Sequence, residues 1–342
     1  MIRILNLAFL YSIAVGNSAA QSASPGLSSD SDLDYFLNQA FFAETGANRI
    51  ALNHIGIETK KAESGHLITA VLEGYPAHAH DLRRGDIIRS VDGHAFHPVE
   101  SFNSEKDDNG NYLPTNKEHE LIVFRSNVPI ELSMTPVFEN LFDSYRSATS
   151  NSVLEFSAGN KTIGYIRFWA LSRSTHDIIN YQNLLAKLDG ADGIIFDLRN
   201  GLGFLGPQHL DLVFPDRTDY FSYSDANDAI SDFSKTSPSS AISAYRKPIA
   251  VLINEGTRGG TELLAYQLDK LQRVISLGEA TRGEISHYFF ERGVRKESLK
   301  IDGQVFHNHS ISPGQIITYP YENTERGDPQ FDAAINALLG II

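Results

Sequence analysis

Apolar and polar residues alternate differently in the first and second parts of the chain. Apolar residues recur at helical spacing from Leu33 to Phe41, which predicts an N-terminal helix capped by Ser31. From Asn53 to Val137 the pattern changes to short alternating strands and turns, interrupted by a polar stretch at 103–117 that is typical of a loop. The pattern therefore predicts one helix followed by a small β-module.

The remainder of the chain alternates apolar strands with helices. After a connecting segment at 138–160, strands are predicted in KTIGYIRFWALS, GIIFDLRNG, KPIAVLINEG and QRVISLGEATRGE, with a helix at 176–188. Continuously apolar strands that alternate with helices indicate a mostly parallel sheet covered on both faces, which is an α/β core. Polar, glycine-containing turns follow three of these strands, and sites in such sheets form at the carboxyl ends of strands. One shared crevice is predicted there, although each turn alone fits ordinary turn chemistry.

Composition and charge narrow the possible partners. The chain has 342 residues and a formal net charge of -13, which argues against a nucleic-acid or anionic-membrane partner. It has no cysteine, so disulfides, thiolate catalysis and cysteine zinc sites are excluded. The histidine pairs His78/His80 and His307/His309 fall short of the four ligands that structural zinc requires. We predict no metal and no cofactor.

The first residues predict export from the cytoplasm. Arg3 precedes a short apolar run, Ile4 to Val15, and the small residues Ser18-Ala19-Ala20 follow, as in a signal peptide cleaved after Ala20. The run is shorter than the ~20 apolar residues of a membrane span. The sequence therefore predicts a secreted or periplasmic protein with no stable span after cleavage, and the alternative is an uncleaved interfacial anchor.

The β-module resembles a PDZ domain. The resemblance lies in three segments, Gly74-Tyr75-Pro76-Ala77, LRRGDII from Leu82, and Val91-Asp92-Gly93. PDZ domains bind peptide C-termini by adding the ligand as a strand to a sheet edge. The resemblance implies that the peptide carboxylate sits on backbone N–H groups of the loop His54-Ile55-Gly56-Ile57, whose first position is often glycine in the family. The alternative is a module that only orients its neighbour.

The order of helix, PDZ-like module and α/β core resembles the carboxy-terminal processing peptidases, also called tail-specific proteases. Besides that order, the resemblance is carried by IGYIRF, DGIIFDLRNGLG, VLINEGTRGGTELLAYQLD, VISLGEATRGE and DPQFDAAINAL. It implies a ClpP/crotonase-like core. Together with the signal peptide predicted at 1–20 from the first residues, it divides the chain into a leader and N-terminal helix at 21–50, a PDZ-like domain at 51–137 and the core at 138–342.

The resemblance also shows where the catalytic residues of the family fall. The nucleophilic serine falls on Gly259, the general-base lysine on Glu284, and the glutamine that supports this lysine on Tyr288. A Ser–Lys dyad needs a hydroxyl to attack and a neutral amine to take its proton. These positions offer neither group. The resemblance implies that backbone N–H groups at Gly260 and Gly203 remain as an oxyanion cradle.

Three hypotheses about function follow. The first is an exported pseudopeptidase, a family member without the Ser–Lys dyad, which binds extended peptides or protein C-termini. The second is an active serine-type peptidase whose chemistry has moved to Thr261, Ser286 or His287. In the simpler interpretation Thr261 is a helix N-cap and Glu262 is a first-turn acid that interacts with the helix dipole.

The third hypothesis is a structural or assembly protein whose PDZ-like module and N-terminal helix contact partners, with the helix as a contact in an oligomer. Two arginines bear on the first hypothesis. Arg258 and Arg282 each stand beside a vacant catalytic position, and together they are candidates for a carboxylate pocket because arginine matches that group with two donors. The simpler interpretation of both is a solvated turn residue.

Overall fold

The computed structural model describes residues 32–42, 50–224, 230–236, 244–285, 300–321 and 327–342. The predicted signal peptide, the Ser31 cap, and the positions Ser286, His287 and Tyr288 lie outside these ranges. Within them, no helix has the length and apolar character needed to cross a membrane. The helices are α1 (Asp32–Phe42), α2 (Pro76–Ala79), α3 (Leu141–Asn151), α4 (Thr175–Lys187), α5 (Pro207–Asp211), α6 (Gly260–Leu268) and α7 (Pro329–Leu339).

The predicted β-module is an antiparallel sheet with strand order β2-β3-β4-β6-β7, and β5 pairs with β4. The β6–β7 hairpin turns at Ser126-Asn127, both with positive φ, as hairpin turns favour. In the described structure β2 pairs only with β3, so it is an edge strand. The strands of this part are β1 (Leu52–His54), β2 (Ile57–Ala62), β3 (Gly65–Val71), β4 (Ile87–Val91), β5 (His94–Ala95), β6 (His119–Arg125), β7 (Val128–Met134) and β8 (Val137–Glu139).

The second part is an α/β core built on a sheet of order β20-β17-β16-β12-β10-β9. All neighbouring pairs are parallel except β9–β10, which confirms the predicted mostly parallel sheet. The strands are β9 (Leu154–Ala158), β10 (Lys161–Arg167), β11 (Ala170–Leu171), β12 (Gly193–Asp197), β13 (Leu202–Gly203), β14 (Ser222–Ser224), β15 (Ile230–Asp232), β16 (Ile249–Ile253), β17 (Val274–Gly278), β18 (Lys300–Ile301), β19 (Gln304–Val305) and β20 (Gln315–Ile316).

Helices cover both faces of the core sheet, which explains why its central strands β12 and β16 are almost entirely apolar. On one face, the side chains of Ile194 and Phe196 pack in the same cluster as residues of α4 and α6. On the other face, Ile195 packs with Ala334 and Leu338 of α7. Because successive residues of a strand point to opposite faces, a strand between two helical layers needs apolar residues at every position.

The N-terminal helix α1 joins the two parts. Its buried residues Leu33, Leu37 and Phe41 pack in one cluster with Leu72, which follows β3 of the PDZ-like module, and with Trp169 of the core. The apolar face of α1 is thus used inside the chain, and a role of this helix in an oligomer stays a prediction.

Candidate functional site

The turn between β16 and α6 holds the position where the resemblance places a nucleophile. Gly259 is the N-cap of α6 and has φ 62° and ψ -120°. L-residues rarely adopt such a positive φ, and α/β hydrolases hold their nucleophile on a comparably sharp and strained strand-to-helix turn. Position 259 therefore has a backbone suited to presenting a nucleophile, but glycine provides no side chain.

The two predicted oxyanion residues lie against each other. A β-carbon added at Gly260 would lie 2.6 Å from the Gly203 carbonyl oxygen and 2.7 Å from the Leu205 nitrogen, so only glycine fits there. Pairing of β13 with β11 holds Gly203 in place, with φ 135°. The structure thus brings both glycines beside position 259, while their role as donors to an oxyanion stays a prediction.

The interpretation of Thr261 as the N-cap is wrong, because Gly259 occupies that position. Thr261 lies inside the first turn of α6 and is fully buried. Its hydroxyl oxygen lies 2.8 Å from the Gly201 carbonyl oxygen and 2.9 Å from that of Arg258. The single hydroxyl proton is therefore donated to the backbone, and the oxygen faces protein rather than a cleft.

Glu262 lies in the first turn of α6, as predicted, and its side chain is fully buried. One carboxylate oxygen accepts hydrogen bonds from Thr281 Oγ1 and, at 2.9 Å, from the Gly283 nitrogen, and the other accepts from the Glu284 nitrogen at 3.0 Å. Burial raises the pKa of Glu262 to about 7 despite these donors. The segment that carries the base position Glu284 is thereby fastened to α6.

The two candidate pocket arginines have different surroundings. Arg258 is buried, and its guanidinium lies 3.0 Å from a Glu58 oxygen and 3.4 Å from an Asp34 oxygen. Arg282 is more exposed, and its Nη1 lies 3.7 Å from Oε1 of the buried Glu284. Since Arg258 already contacts two carboxylates of the chain itself, its contacts weigh against a shared pocket for a ligand carboxylate. That role of the pair stays a prediction.

Glu58 is the functional candidate that sequence reasoning missed. Besides Arg258, it accepts hydrogen bonds from Tyr145 Oη at 2.5 Å and from Asn200 Nδ2 at 2.6 Å. Alternation along β2 could have placed Glu58 on the face opposite Ile57. Its partners could not have been found from sequence, because Arg258 is 200 residues away.

Two of the predicted polar turns meet beside Glu58. The Asn254 side chain accepts from the Asn200 nitrogen at 3.0 Å and donates to Asn200 Oδ1 at 2.9 Å. Asn200 has φ 59°, a left-handed conformation that asparagine tolerates better than most residues. The carboxyl ends of β12 and β16 thus form one polar surface, as the sequence pattern predicts.

The predicted peptide-binding loop has one backbone donor occupied. His54 is buried, accepts a hydrogen bond from the Gly56 nitrogen on Nδ1 at 3.1 Å, and has Nε2 3.0 Å from Ser144 Oγ. Burial lowers the pKa of His54 to about 4, so the ring is neutral near pH 7. Ile55 and Ile57 pack in the hydrophobic core of the module. Peptide binding by this loop stays a prediction, and the His54 ring competes for one of its donors.

The histidine pairs show no metal geometry. Across the described ranges, no group of three or more His, Asp or Glu side chains is arranged to hold a metal ion. His307 and His309 lie after β19, outside any strand, so they do not share the strand face that a metal site would need.

Two family models match separate segments of the chain. Residues 162–311 match the model of peptidase family S41, and residues 53–128 match that of the PDZ domain. A carboxyl-terminal-processing protease of Synechocystis sp. is 28% identical over 306 residues, which cover 84% of this chain and 67% of that protein.

A chloroplastic C-terminal processing peptidase of Tetradesmus obliquus is 26% identical over 219 residues, which cover 62% of this chain but only 46% of that protein. The structure of a putative S41 protease from Bacteroides fragilis superposes with a TM-score of 0.54 at 16% identity, over 94% of this chain and 93% of that one. This likeness shows a common fold and confirms the predicted combination of α/β core and PDZ module.

Proposed function

Because this chain belongs to the C-terminal processing peptidases of family S41 and carries a PDZ domain, we propose that it is a non-catalytic member that binds extended peptides or protein C-termini. The observation that carries this proposal is Gly259. The turn has the sharp conformation of a nucleophile position, and its residue has no group that could attack a carbonyl.

The position of the general base supports the same proposal. Glu284 is a buried acid whose backbone nitrogen bonds to Glu262, and Arg282 is its charged neighbour. A lysine base must lose a positive charge to accept a proton, and a carboxylate reverses the electrostatics of that step. The bonds of Thr261 to two backbone carbonyls weigh against a nucleophile relocated to that residue.

Strand addition to the PDZ sheet is the proposed mode of binding. In the described structure β2 pairs on one side only, and the predicted loop 54–57 leads directly into it. An edge strand offers backbone donors and acceptors to a second extended chain, which is how PDZ domains take up peptides. The predicted signal peptide would bring the protein to secreted or periplasmic ligands, and N-terminal sequencing of the mature protein tests that part.

The experiment compares the natural chain with the Gly259→Ser, Glu284→Lys double variant on an unfolded substrate such as casein. We expect no cleavage by the natural chain and measurable cleavage by the double variant. The Gly259→Ser single variant is the control, since a serine without a base should stay inactive. Cleavage by the natural chain that persists after host proteases are removed would contradict the proposal. Ser286 and His287 would then be the next residues to mutate.

Binding is measured in parallel, on an array of peptides with free C-termini. We expect the natural chain to bind a subset of them. A chain that neither cleaves casein nor binds any peptide would instead be a structural or assembly protein.

A further inference from the structure

A cavity of about 170 Å³ lies where the PDZ-like sheet meets the core, and we call it the junction cavity. Its core side is formed at the carboxyl ends of neighbouring parallel strands, by Arg167 of β10, Asn200 after β12, Asn254 after β16 and Glu279 after β17. Ligands of open α/β sheets bind at this edge. The space is several times the ~30 Å³ that one water takes up in the liquid, so it has room for a small polar group.

Arg84 supplies a cation from the PDZ side of the junction cavity. Its guanidinium stacks on the rings of Tyr319 and Tyr321, at 4.0 and 3.8 Å from their centroids, and donates to the carbonyl oxygens of Tyr319 and Pro320. In the described ranges, no carboxylate of the protein lies within ion-pair distance of this group. The two rings hold a planar charge in place without neutralising it.

Arg167 supplies a second cation, from the core. Its Nη1 lies 3.7 Å from a Glu73 oxygen, its Nη2 donates to the Arg199 carbonyl, and the group stacks on Trp169. Its Nε–H is buried and has no hydrogen-bond partner among the described residues. Buried donors are nearly always satisfied, so this N–H is a vacant position for an acceptor.

The acids around the junction cavity limit what that acceptor can be. Arg199 is already neutralised by Asp197 and Asp328, at 2.5 and 2.7 Å. Glu279 also lines the cavity, and its contact there is the side-chain amide of Gln330 at 3.3 Å. A nearby carboxylate penalises a dianion more than a monoanion, because repulsion scales with charge. The cations there are largely matched, Arg167 by Glu73 and Arg199 by two aspartates, so little excess positive charge is left to attract a second negative charge. The lining therefore favours a carboxylate over a phosphate dianion.

We propose that the junction cavity binds a carboxylate held by Arg84 and Arg167, and that the C-terminus of a bound peptide supplies it. The choice of a peptide as the source rests on the proposed function. It also fits the loop 54–57, where the His54 ring occupies the Gly56 N–H. Val71 lines the cavity and is the register partner of Ile57, so the cavity begins one strand away from that loop.

The test follows the arginine Nε–H signals of the full-length, nitrogen-15-labelled chain by NMR. The probes are N-acetylalanine, its neutral amide and inorganic phosphate. We expect N-acetylalanine to shift the Arg167 Nε–H signal saturably, the amide to leave it unchanged, and phosphate to bind more weakly. Arg84→Gln should weaken N-acetylalanine binding at least tenfold. Arg89→Gln is the matched control, since Arg89 is an exposed arginine of β4 whose guanidinium stacks on Phe124, outside the cavity.

Several outcomes would overturn the site: no saturable shift, an equal shift with the amide, tighter binding of phosphate, or an Arg84→Gln variant that binds normally. A second arm uses labelled peptides, each with a free or an amidated C-terminus. If peptides bind equally well with a free and with an amidated C-terminus, the cavity does not bind their C-terminal carboxylate. The proposed function, peptide binding, would be unaffected by that result. Saturable binding of N-acetylalanine without any peptide binding would support a carboxylate site in the cavity. It would indicate that free small acids, rather than peptides, supply the carboxylate, and it would count against the proposed function.

Discussion

The turn around Gly259 and the loop around His54 differ in how each could lose a function. At the turn the side chain is absent, while the glycines that could present backbone donors lie together. At the loop a side chain is present, and it occupies one of the backbone donors that a ligand would use. A binding or catalytic frame can thus keep its backbone course while either a missing or an added side chain changes its chemistry.

The two regions also respond to pH in opposite directions. Burial raises the pKa of Glu262 beside the turn to about 7 and lowers that of His54 in the loop to about 4. The cause is the same, because a buried group favours its neutral form, and the sign differs because an acid is neutral when protonated and an imidazole when deprotonated.

An ion pair ties the two regions together. Glu58 follows the loop directly, Arg258 directly precedes Gly259, and their charged groups lie 3.0 Å apart with little exposure. Glu58→Gln would remove the nearer of the two carboxylates at 3.0 and 3.4 Å from the buried guanidinium. Removing one partner of a buried pair costs about 3–5 kcal/mol, so we expect a large fall in the urea midpoint.

The control for this first prediction is Glu63→Gln, a change at an exposed position of the same module. The Glu58→Met, Arg258→Met double variant should recover part of the loss, because no buried guanidinium remains without its partner, and Asp34, which loses its contact with Arg258, is partly exposed. The Glu58→Met and Arg258→Met single variants are measured beside it. A double variant less stable than both would show that Glu58 and Arg258 stabilise the fold mainly through their other hydrogen bonds.

The second prediction concerns Glu262. Its folded pKa of about 7 lies above the ordinary 4.5, so its stabilising effect is fully present below pH 4.5 and is lost as pH rises through 7. The loss amounts to about 3 kcal/mol at most. Buried histidines such as His54 titrate with the opposite sign over part of this range, so the quantity to measure is the difference in unfolding free energy between the natural chain and Glu262→Gln, which cannot titrate. We expect urea unfolding to show that the natural chain loses stability relative to the variant from pH 5 to pH 8. A difference that stays constant across this range would contradict the assignment.

The third prediction concerns His54, and it has the opposite sign. Its folded pKa of about 4 lies below the ordinary 6.5, so its stabilising effect is present above pH 6.5 and is lost as pH falls through 4. Between pH 7 and pH 5 the loss is about 2 kcal/mol.

His54→Asn is the matched variant for this third prediction. Its side-chain oxygen can still accept from the nitrogen two residues on, but the group does not titrate. Urea midpoints at both pH values should differ less in the variant than in the natural chain. If the natural chain and His54→Asn lose the same stability between pH 7 and pH 5, the loss belongs to another titratable group.

Much of the fold could be predicted from the sequence, because the signals are local. The Ser126-Asn127 turn, the Gly159-Asn160 turn between β9 and β10, and the apolar runs of β12, β16 and β17 each lie within a few residues. Family motifs then placed Gly259 and the loop 54–57 in the chain. The order of elements and the mostly parallel sheet followed from these signals alone.

The surroundings of the candidate site could not be predicted, because the contacts join distant segments. His54 meets Ser144 across 90 positions, and Asn200 meets Glu58 across 142. The prediction for Thr261 fails for a related reason. Threonine near a helix start favours capping, but this chain places the cap at Gly259, and the carbonyl of Gly201 accepts the hydroxyl.

The fourth and smallest prediction tests the backbone of the turn itself. Gly259 has φ 62° with ψ -120°, so Gly259→Ala should cost roughly 1–2 kcal/mol through strain alone. Gly93→Ala is the matched control, with φ 77° and open space around the position of the added carbon.

We expect the loss at position 259 to equal or exceed that at position 93 in urea unfolding. A cost-free Gly259→Ala would mean that the turn relaxes when it carries a side chain. A serine at 259 would then no longer be held in the attacking conformation. In that case an inactive Gly259→Ser, Glu284→Lys variant would reflect a relaxed turn rather than a diverged pocket, so the stability measurement has to precede the casein assay.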